Sequence, residues 1–572
     1  MTPKQLLPIL RWAPDYNRAT LARDLLAAVI VTVLLIPQSL AYAMLAGLPA
    51  EVGLYASIVP LALYALFGTS STLAVGPVAV ISLMTASAAS SLAEPGTAAY
   101  TGIVLTLAFL SGLILLGMAM ARMGFLANFL SHPVISGFIT ASALIIAAGQ
   151  LGPLLGIEAN GQTLPGLLTS LWQHGAALEP MTAAIGLVTL LFLAVTRRWL
   201  HPQALKRATP LVAVGVTTFV SWWAGLAQEG VAVVGAIPTG LPGLTLPAMD
   251  PSLWRELGMA ALLISIVGFV ESVSIAETLA TRRRERLDPD QELLGLGASN
   301  LGAAFSGGMP VTGGFSRSVV NADAGAATPA AGAFTAVGIG LATLTLTPLL
   351  THLPRATLAA TIIVAVMSLI DTRLIRRTWR YARSEFTAML ATIALTLLLG
   401  VETGILTGVG LSLALHLYRT SQPHSAVIGR VPGTEHFRNV ERYQVETDDQ
   451  LLMVRVDESL YFANARPLEE RLLSLAAARS GLRHVVLACQ AVNDIDTSAL
   501  ETLETINRRL GEDGIQLHLA EVKGPVTDRL RETDFLNQLT GQVFLSTYEA
   551  WLHLHQDGPA NTRQTATASS ST

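Results

Sequence analysis

Apolar segments of about membrane-spanning length recur from residue 21 to residue 417, and no other feature limits the fold so severely. They cover 21–46, 52–67, 77–92, 101–120, 133–155, 181–196 and 210–226, then 257–280, 293–305, 314–323, 330–353, 356–370, 386–400 and 404–417. A helix needs about 20 apolar residues to cross the hydrocarbon core, so several of these fourteen are too short to cross alone. The 572 residues are 51% hydrophobic and only 13% charged, with a mean hydropathy of +0.52, too apolar for a soluble core. A polytopic α-helical membrane protein follows.

Basic residues set the orientation. With the N-terminus (1–20, carrying Lys4, Arg11 and Arg18) in the cytoplasm, four sets fall on the same side. They are Arg122, Arg197/Arg198/Lys206/Arg207, Arg282/Arg283/Arg284/Arg286 and Arg373/Arg376/Arg377/Arg380/Arg383. The opposite loops are nearly free of them: 156–180 has none and 228–256 has only Arg255. This asymmetry places both termini in the cytoplasm and the chain in a cell (inner) membrane. The first apolar segment is span-length and lacks a convincing cleavage site, so it reads as a retained span.

Two sets of seven segments suggest duplication, and a seven-span unit copied in tandem inserts in opposite orientations, giving an inverted repeat. Leu21 to Gly76 and Glu256 to Val311 have the same separation, and the same shift carries Ile36 onto Glu271. The expected fold is therefore fourteen spans in a 7+7 inverted repeat with two half-helices.

The half-helices are read at two interruptions. Gly313-Gly314 and Pro310 break the segment that holds Phe315, Ser316 and Arg317, and Gly76-Pro77 breaks its counterpart ahead of Val78 and Ala79. Irregular backbone at membrane depth is tolerated where it faces protein or a cavity, and the first turn of the helix that follows presents unpaired N–H groups. Two opposed helix N-termini and the Arg317 guanidinium make an anion site. In this reading Pro77 opens the first turn of its half-helix. The competing readings are an arginine that snorkels to the headgroups and a simple proline kink. In the first span Gln38 and Tyr42 are four residues apart and share a helix face. In the eighth, Glu271 lies inside an apolar run, where a carboxylate is either a coupling group or half of a static ion pair with Arg317. Glu277 reads as structural.

Pro37-Gln38-Ser39-Leu40-Ala41-Tyr42-Ala43, Gly53-Leu54-Tyr55, Phe67-Gly68-Thr69-Ser70, Val75-Gly76-Pro77, Glu271-Ser272, Asn300 and Ser316-Arg317-Ser318 together resemble the SulP family of sulfate permeases and anion exchangers, which includes prestin. The resemblance implies a core domain that moves against a gate domain in an elevator-like way, with the anion between the third and tenth spans. Carried over, it assigns Gln38, Tyr42, Val78, Ala79, Phe315, Ser316 and Arg317 to anion binding and Glu271 to ion coupling. It also implies a homodimer. Many members have Gly-Ser where this chain has Gly313-Gly314.

Beyond residue 418 the composition changes. Residues 419–443 read as a polar linker, and 444–557 as a small α/β domain with strands at 451–456, 484–489 and 515–520 and helices at 466–479 and 498–510. Residues 558–572, rich in Ser, Thr and Ala, read as a disordered tail. Asp494-Ile495-Asp496-Thr497-Ser498-Ala499-Leu500 resembles a cytoplasmic STAS domain, in which Ser498 matches a phosphorylated serine. The alternative is a capping box, Ser498 to Glu501, that needs no regulation to explain it.

The function expected is secondary active transport of a small inorganic oxyanion, with sulfate by proton symport first. Sodium-coupled bicarbonate uptake, C4-dicarboxylate transport and anion exchange stand as alternatives. A membrane-tethered STAS signalling scaffold with a cytoplasmic protein partner is the reading from another class. An enzyme is not expected, since the chain has no nucleophile-elbow, P-loop or helical zinc motif. Cys489 is its one cysteine, so neither an intrachain disulfide nor a cysteine metal cluster exists. No cofactor, metal or nucleic acid is implied, and the partners are the anion, a proton or sodium ion, and membrane lipid.

Overall fold

The computed structural model describes residues 7–128, 132–159, 161, 163–199, 203–235, 238 and 240–555. The expected tail at 558–572 lies outside them, as do residues 1–6 of the N-terminus. The chain divides into two compact units, Met1–Leu413 and Ala414–Thr572. Among the described residues, eight helices are long and apolar enough to cross a membrane, and three shorter apolar helices accompany them.

In the first unit, α1 (Arg18–Leu45) is followed by α2 (Val59–Phe67), and the chain then becomes extended through β1 (Val75–Gly76). The half-helix α3 (Ala79–Ser90) comes next, then α4 (Ala98–Met120), α5 (His132–Gly149), α6 (Pro180–Trp199) and α7 (Gln203–Trp223). The long α8 (Pro251–Arg283) and α9 (Pro289–Phe305) lead to β2 (Thr312–Gly313) and the second half-helix, α10 (Phe315–Asp323). After these come α11 (Ala330–Thr345), α12 (Arg355–Met367), α13 (Arg383–Leu399) and α14 (Val401–Ser421). Gly68 ends α2 against the ring of Tyr64, where a Cβ would lie 2.4 Å from Cζ. That close approach turns the chain toward β1.

The two interruptions meet. β1 pairs antiparallel with β2, Val75 opposite Gly313 and Gly76 opposite Thr312, and the Gly314 N–H donates to the Ala74 carbonyl at 3.1 Å. Each strand runs directly into its half-helix, so a two-stranded ribbon sets the N-termini of α3 and α10 side by side. The proline expected to open α3 does not. Val78 is the N-cap residue and Pro77 sits one residue earlier in extended backbone, where its carbonyl is free to accept a bond from outside the helix.

The second unit is a six-stranded sheet ordered β4-β3-β5-β6-β7-β8. Its strands are β3 (Ser425–Arg430), β4 (Phe437–Asn439), β5 (Leu451–Val456), β6 (His484–Ala488), β7 (Gln516–Ala520) and β8 (Val543–Phe544). β5 to β8 are parallel, and β3 is antiparallel to both neighbours. Helices α15 (Ala465–Ala477) and α16 (Thr497–Glu512) follow β5 and β6, the crossover arrangement that parallel strands require. Residues 419–443, expected as a linker, thus contribute β3 and β4 to the sheet. Ala426 and Ile428 of β3 face a core with Met453, Val486 and Trp551, while Val427 packs against the core on the other face of the sheet. The polar residues and prolines flanking this short apolar run gave the segment a linker-like composition. Cys489 is buried, and burial pushes its thiol up to about 12, which leaves it unreactive.

Candidate anion site

The N-termini of α3 and α10 open onto a cavity of about 70 Å³. Gln38 and Tyr42 of α1, Val78 and Ala79 at the start of α3, Glu271 of α8, and Phe315, Ser316 and Arg317 of α10 all line it. Every membrane-embedded residue singled out from the sequence is therefore in one place. The first-turn N–H groups of both half-helices have no acceptor within their own helix, and each end carries partial positive charge. Phe315 is 51% exposed although it is apolar, because it borders this open volume.

Arg317 is 2% exposed, so it does not snorkel. Its Nη1 donates to the Pro77 carbonyl at 2.6 Å and its Nη2 reaches the Ala74 carbonyl at 3.5 Å, while Nε has no partner. The guanidinium thus staples the two interruptions together and keeps part of its donor fork unused. A Cβ on Gly314 would lie 2.7 Å from Nη2. A serine at this position would collide with the guanidinium as it is placed here.

Glu271 has one carboxylate oxygen, Oε2, that is buried without a hydrogen-bond partner. It shares the cavity with Arg317, yet the two make no ion pair within 4 Å, which sets aside the static pair as the reason for the carboxylate. The neighbouring hydroxyls are, by contrast, fully engaged. Thr312 Oγ1 donates to the Gly268 carbonyl at 2.6 Å and lies 2.6 Å from Ser272 Oγ, which accepts the Gly313 N–H at 2.9 Å.

Several supporting residues were given no role in the sequence reading, although Asn300 and Ser318 stand in the motifs it quoted. Ser318 Oγ accepts the Ala74 N–H at 2.9 Å, Asn321 Nδ2 donates to the Thr72 carbonyl, and Asn300 bonds both the N–H and the carbonyl of Val311 at 2.9 Å. Together they fix the ribbon that carries Arg317. Ala365, Ser368 and Leu369, at the end of α12, close the cavity opposite the half-helices. The run 356–370 is apolar apart from Thr357, Thr361 and Ser368, and these three did not by themselves signal which residues face the site. Glu292, fully buried on α9, accepts from Tyr64 Oη at 2.6 Å, Thr69 N at 2.8 Å, Thr69 Oγ1 at 2.5 Å and Ser70 N at 3.2 Å. Its signal was the Phe67-Gly68-Thr69-Ser70 motif, which names the donors but not the acceptor.

Ser498 lies elsewhere, in the second unit. It is exposed, in the first turn of α16, and it does not cap that helix: Asp496 is the N-cap and accepts the Ala499 N–H at 2.8 Å. The capping box read at Ser498 is therefore not formed, and Asp496, two residues earlier, caps the helix alone.

A helical membrane unit built around two abutting half-helix N-termini, with a STAS sheet later in the same chain, is the architecture of an anion transporter rather than of an enzyme. The chain belongs to the sulfate permease family, whose model matches residues 21–392, and a STAS domain model matches 442–550. It is 36% identical over 533 residues to sulfate transporter 4.1, chloroplastic, of Arabidopsis thaliana, covering 90% of this chain and 77% of that one. It is 34% identical over 539 residues to a probable sulfate transporter of Mycobacterium tuberculosis, covering 92% and 95%. Among solved structures, murine Slc26a9 in the inward-facing state shares the fold with a TM-score of 0.87 at 24% identity, covering 96% of this chain and 94% of that one. The transmembrane domain of a cyanobacterial bicarbonate transporter, BicA, aligns with a TM-score of 0.60 at 22% identity, covering 70% and 98%.

Proposed function

We propose that the protein carries sulfate across the membrane by secondary active transport, driven by protons. The observation behind this reading is the meeting of two half-helix N-termini and the partly unused Arg317 fork at one small cavity, which suits a compact, doubly charged oxyanion. Gln38, Tyr42, Val78, Ala79, Phe315 and Ser316 complete the anion's surroundings, and relatives named as sulfate transporters support the choice of ion.

Glu271 is the coupling residue in this reading. Its unpartnered oxygen can take a proton without breaking any bond, whereas the Ser272 and Thr312 hydroxyls beside it already serve one another and the Gly268 carbonyl. An ionised Glu271 repels the arriving anion and a protonated one does not, so proton and anion each favour the other's binding.

Residues 21–418 form the transport domain, with fourteen spans in a 7+7 inverted repeat split into core and gate. Both termini are cytoplasmic in this reading, which the placement of the basic clusters supports, and the membrane is an inner cell membrane. The chain works as a homodimer, and the exposed Ser498 of the STAS domain (444–557) is its site for regulation or for a cytoplasmic partner.

The test is uptake of labelled sulfate, bicarbonate and succinate into proteoliposomes, with proton and sodium gradients imposed separately. Sulfate accumulation driven by a proton gradient alone supports the reading. Accumulation of bicarbonate that follows sodium and ignores protons overturns it.

A further inference from the structure

A second, larger cavity of about 260 Å³ adjoins the first, and Gln38, Tyr42, Ser316, Arg317, Ala365 and Ser368 line both. It extends from Arg317 to the last turn of α6 and the residues Thr209 and Pro210 of α7. Its walls are mostly apolar. Among the described residues lining the two volumes, the charged ones are Arg317, Glu271 and, at the far end, Arg197.

Arg197 is exposed, and its Nη1 donates to the carbonyl of Val364 at 2.7 Å. Val364 is in the last turn of α12, where unpaired carbonyls give the helix a partial negative charge. Left alone, that helix end would repel an anion on its way to Arg317. With the guanidinium bound to it, the same wall carries net positive charge, and apolar surroundings focus that charge along the passage.

We propose that Arg197 is a second anion contact: an access site at the outer end of the cavity that captures a small oxyanion and hands it inward to Arg317. This deepens the transport reading above and rests on it. Arg197 acts on the rate of capture and Arg317 on the bound state, so the two arginines should differ in which kinetic constant they control.

The variant that separates charge from capping is Arg197→Gln, whose amide can still donate to the Val364 carbonyl but carries no charge. Arg197→Lys keeps the charge. Initial rates of labelled sulfate transport in proteoliposomes, taken across sulfate concentration at low and high ionic strength, give kcat and KM for each. Arg197→Gln should lower kcat/KM about three- to tenfold at low salt with kcat unchanged, the deficit shrinking as salt screens the charge. Arg197→Lys should stay near the parent. If Arg197→Gln matches the parent at every salt concentration, the residue is only a helix cap and the inference falls. It falls equally if Arg197→Lys is as impaired as the glutamine. Should Arg197→Gln fail to fold, Arg197→Lys decides alone: a parent-like salt slope supports the access site, and a lost slope overturns it. Arg317→Ala, run alongside, reports on the underlying reading. Sulfate transport unaffected by Arg317→Ala would sink that reading, whatever Arg197 does.

Discussion

Two glutamates on successive helices of the membrane unit, Glu292 and Glu271, are opposites. Glu292 accepts four hydrogen bonds, from Tyr64, from Thr69 twice and from Ser70, and so ties α9 to the turn between α2 and β1. Glu271, on the adjacent long helix, leaves an oxygen without any partner at the edge of the anion cavity. A buried carboxylate surrounded by donors is held in one charge state, since protonation would turn an acceptor into a donor facing other donors. One with an unused oxygen can change its charge at small structural cost. The first is built for fold and the second for coupling, although from sequence alone they are the same residue type in neighbouring apolar helices.

Replacing each in turn tests this most severely. Glu292→Ala strands four buried donors, so the purified protein should lose roughly 3 kcal/mol or more of stability, at about 1–3 kcal/mol for each donor left unsatisfied. Its thermal unfolding in detergent should fall sharply, or it should fail to accumulate. Glu271→Gln should unfold within a degree or two of the parent, on the order of the scatter for a neutral substitution. It should still exchange labelled sulfate for unlabelled, yet fail to concentrate sulfate on a proton gradient. If the glutamine variant is the unstable one and Glu292→Ala is not, the two roles have been assigned the wrong way round.

Arg317 comes next in size. Arg317→Ala should weaken sulfate binding by about 1.5–3 kcal/mol, the scale of hydrogen bonds to a charged group. Arg317→Lys should recover only part of this, because an ammonium cannot hold the Pro77 carbonyl and an anion with one planar fork. Calorimetry on the purified variants reads both. A smaller effect is expected for Gly314→Ser, whose Cβ would displace Nη2. Pushing the guanidinium off its rotamer costs roughly 0.5–1.5 kcal/mol, so affinity should fall about tenfold at most, with Glu271-dependent coupling intact. Equal affinity would mean that the arginine has room to move that its two carbonyl contacts do not suggest.

What the sequence disclosed and what it hid follow the same division. Interrupted apolar segments announced the half-helices, because glycine and proline at membrane depth have few other uses. The lone Arg317 and Glu271 announced the cavity, because charges there need a reason. Many helices of the first unit could be read to within three or four residues, but α7 and α8 begin seven and six residues ahead of their apolar runs and α11 ends eight residues before its run does. Register was not legible: that Pro77 precedes α3 and lends its carbonyl to Arg317 depends on how β1 meets β2 across more than two hundred residues. Partners were not legible either. Glu292 lies just ahead of the apolar run 293–305 and drew no notice, and its donors lie on a distant turn. Strands β3 and β4 were hidden because their short apolar runs are set among prolines, glycine and polar residues that together have a linker's composition.

The comparison extends to one titratable group outside the membrane unit. His518, in β7 of the STAS sheet, resembles Glu292 in having both ring nitrogens engaged: Nδ1 accepts the Gln542 N–H at 3.0 Å, and Nε2 lies 3.2 Å from Nδ1 of His484. Burial, together with His484 and His553 nearby, holds its pKa down to about 4, against 6.5 for a free histidine. The folded domain therefore resists a proton that the unfolded chain accepts, so its stability is complete above about pH 6.5. Stability should decline as pH falls from there toward 4, then level off. A loss on the order of 1 kcal/mol is expected over that window. Thermal unfolding of residues 422–555, expressed alone and followed across that window, reads it. His518→Asn can keep an acceptor toward Gln542 but cannot titrate, so its profile should be flatter there. An unchanged slope in that variant would assign the acid sensitivity to other groups, and with it would go the rule that a fully engaged group must titrate at the expense of the fold.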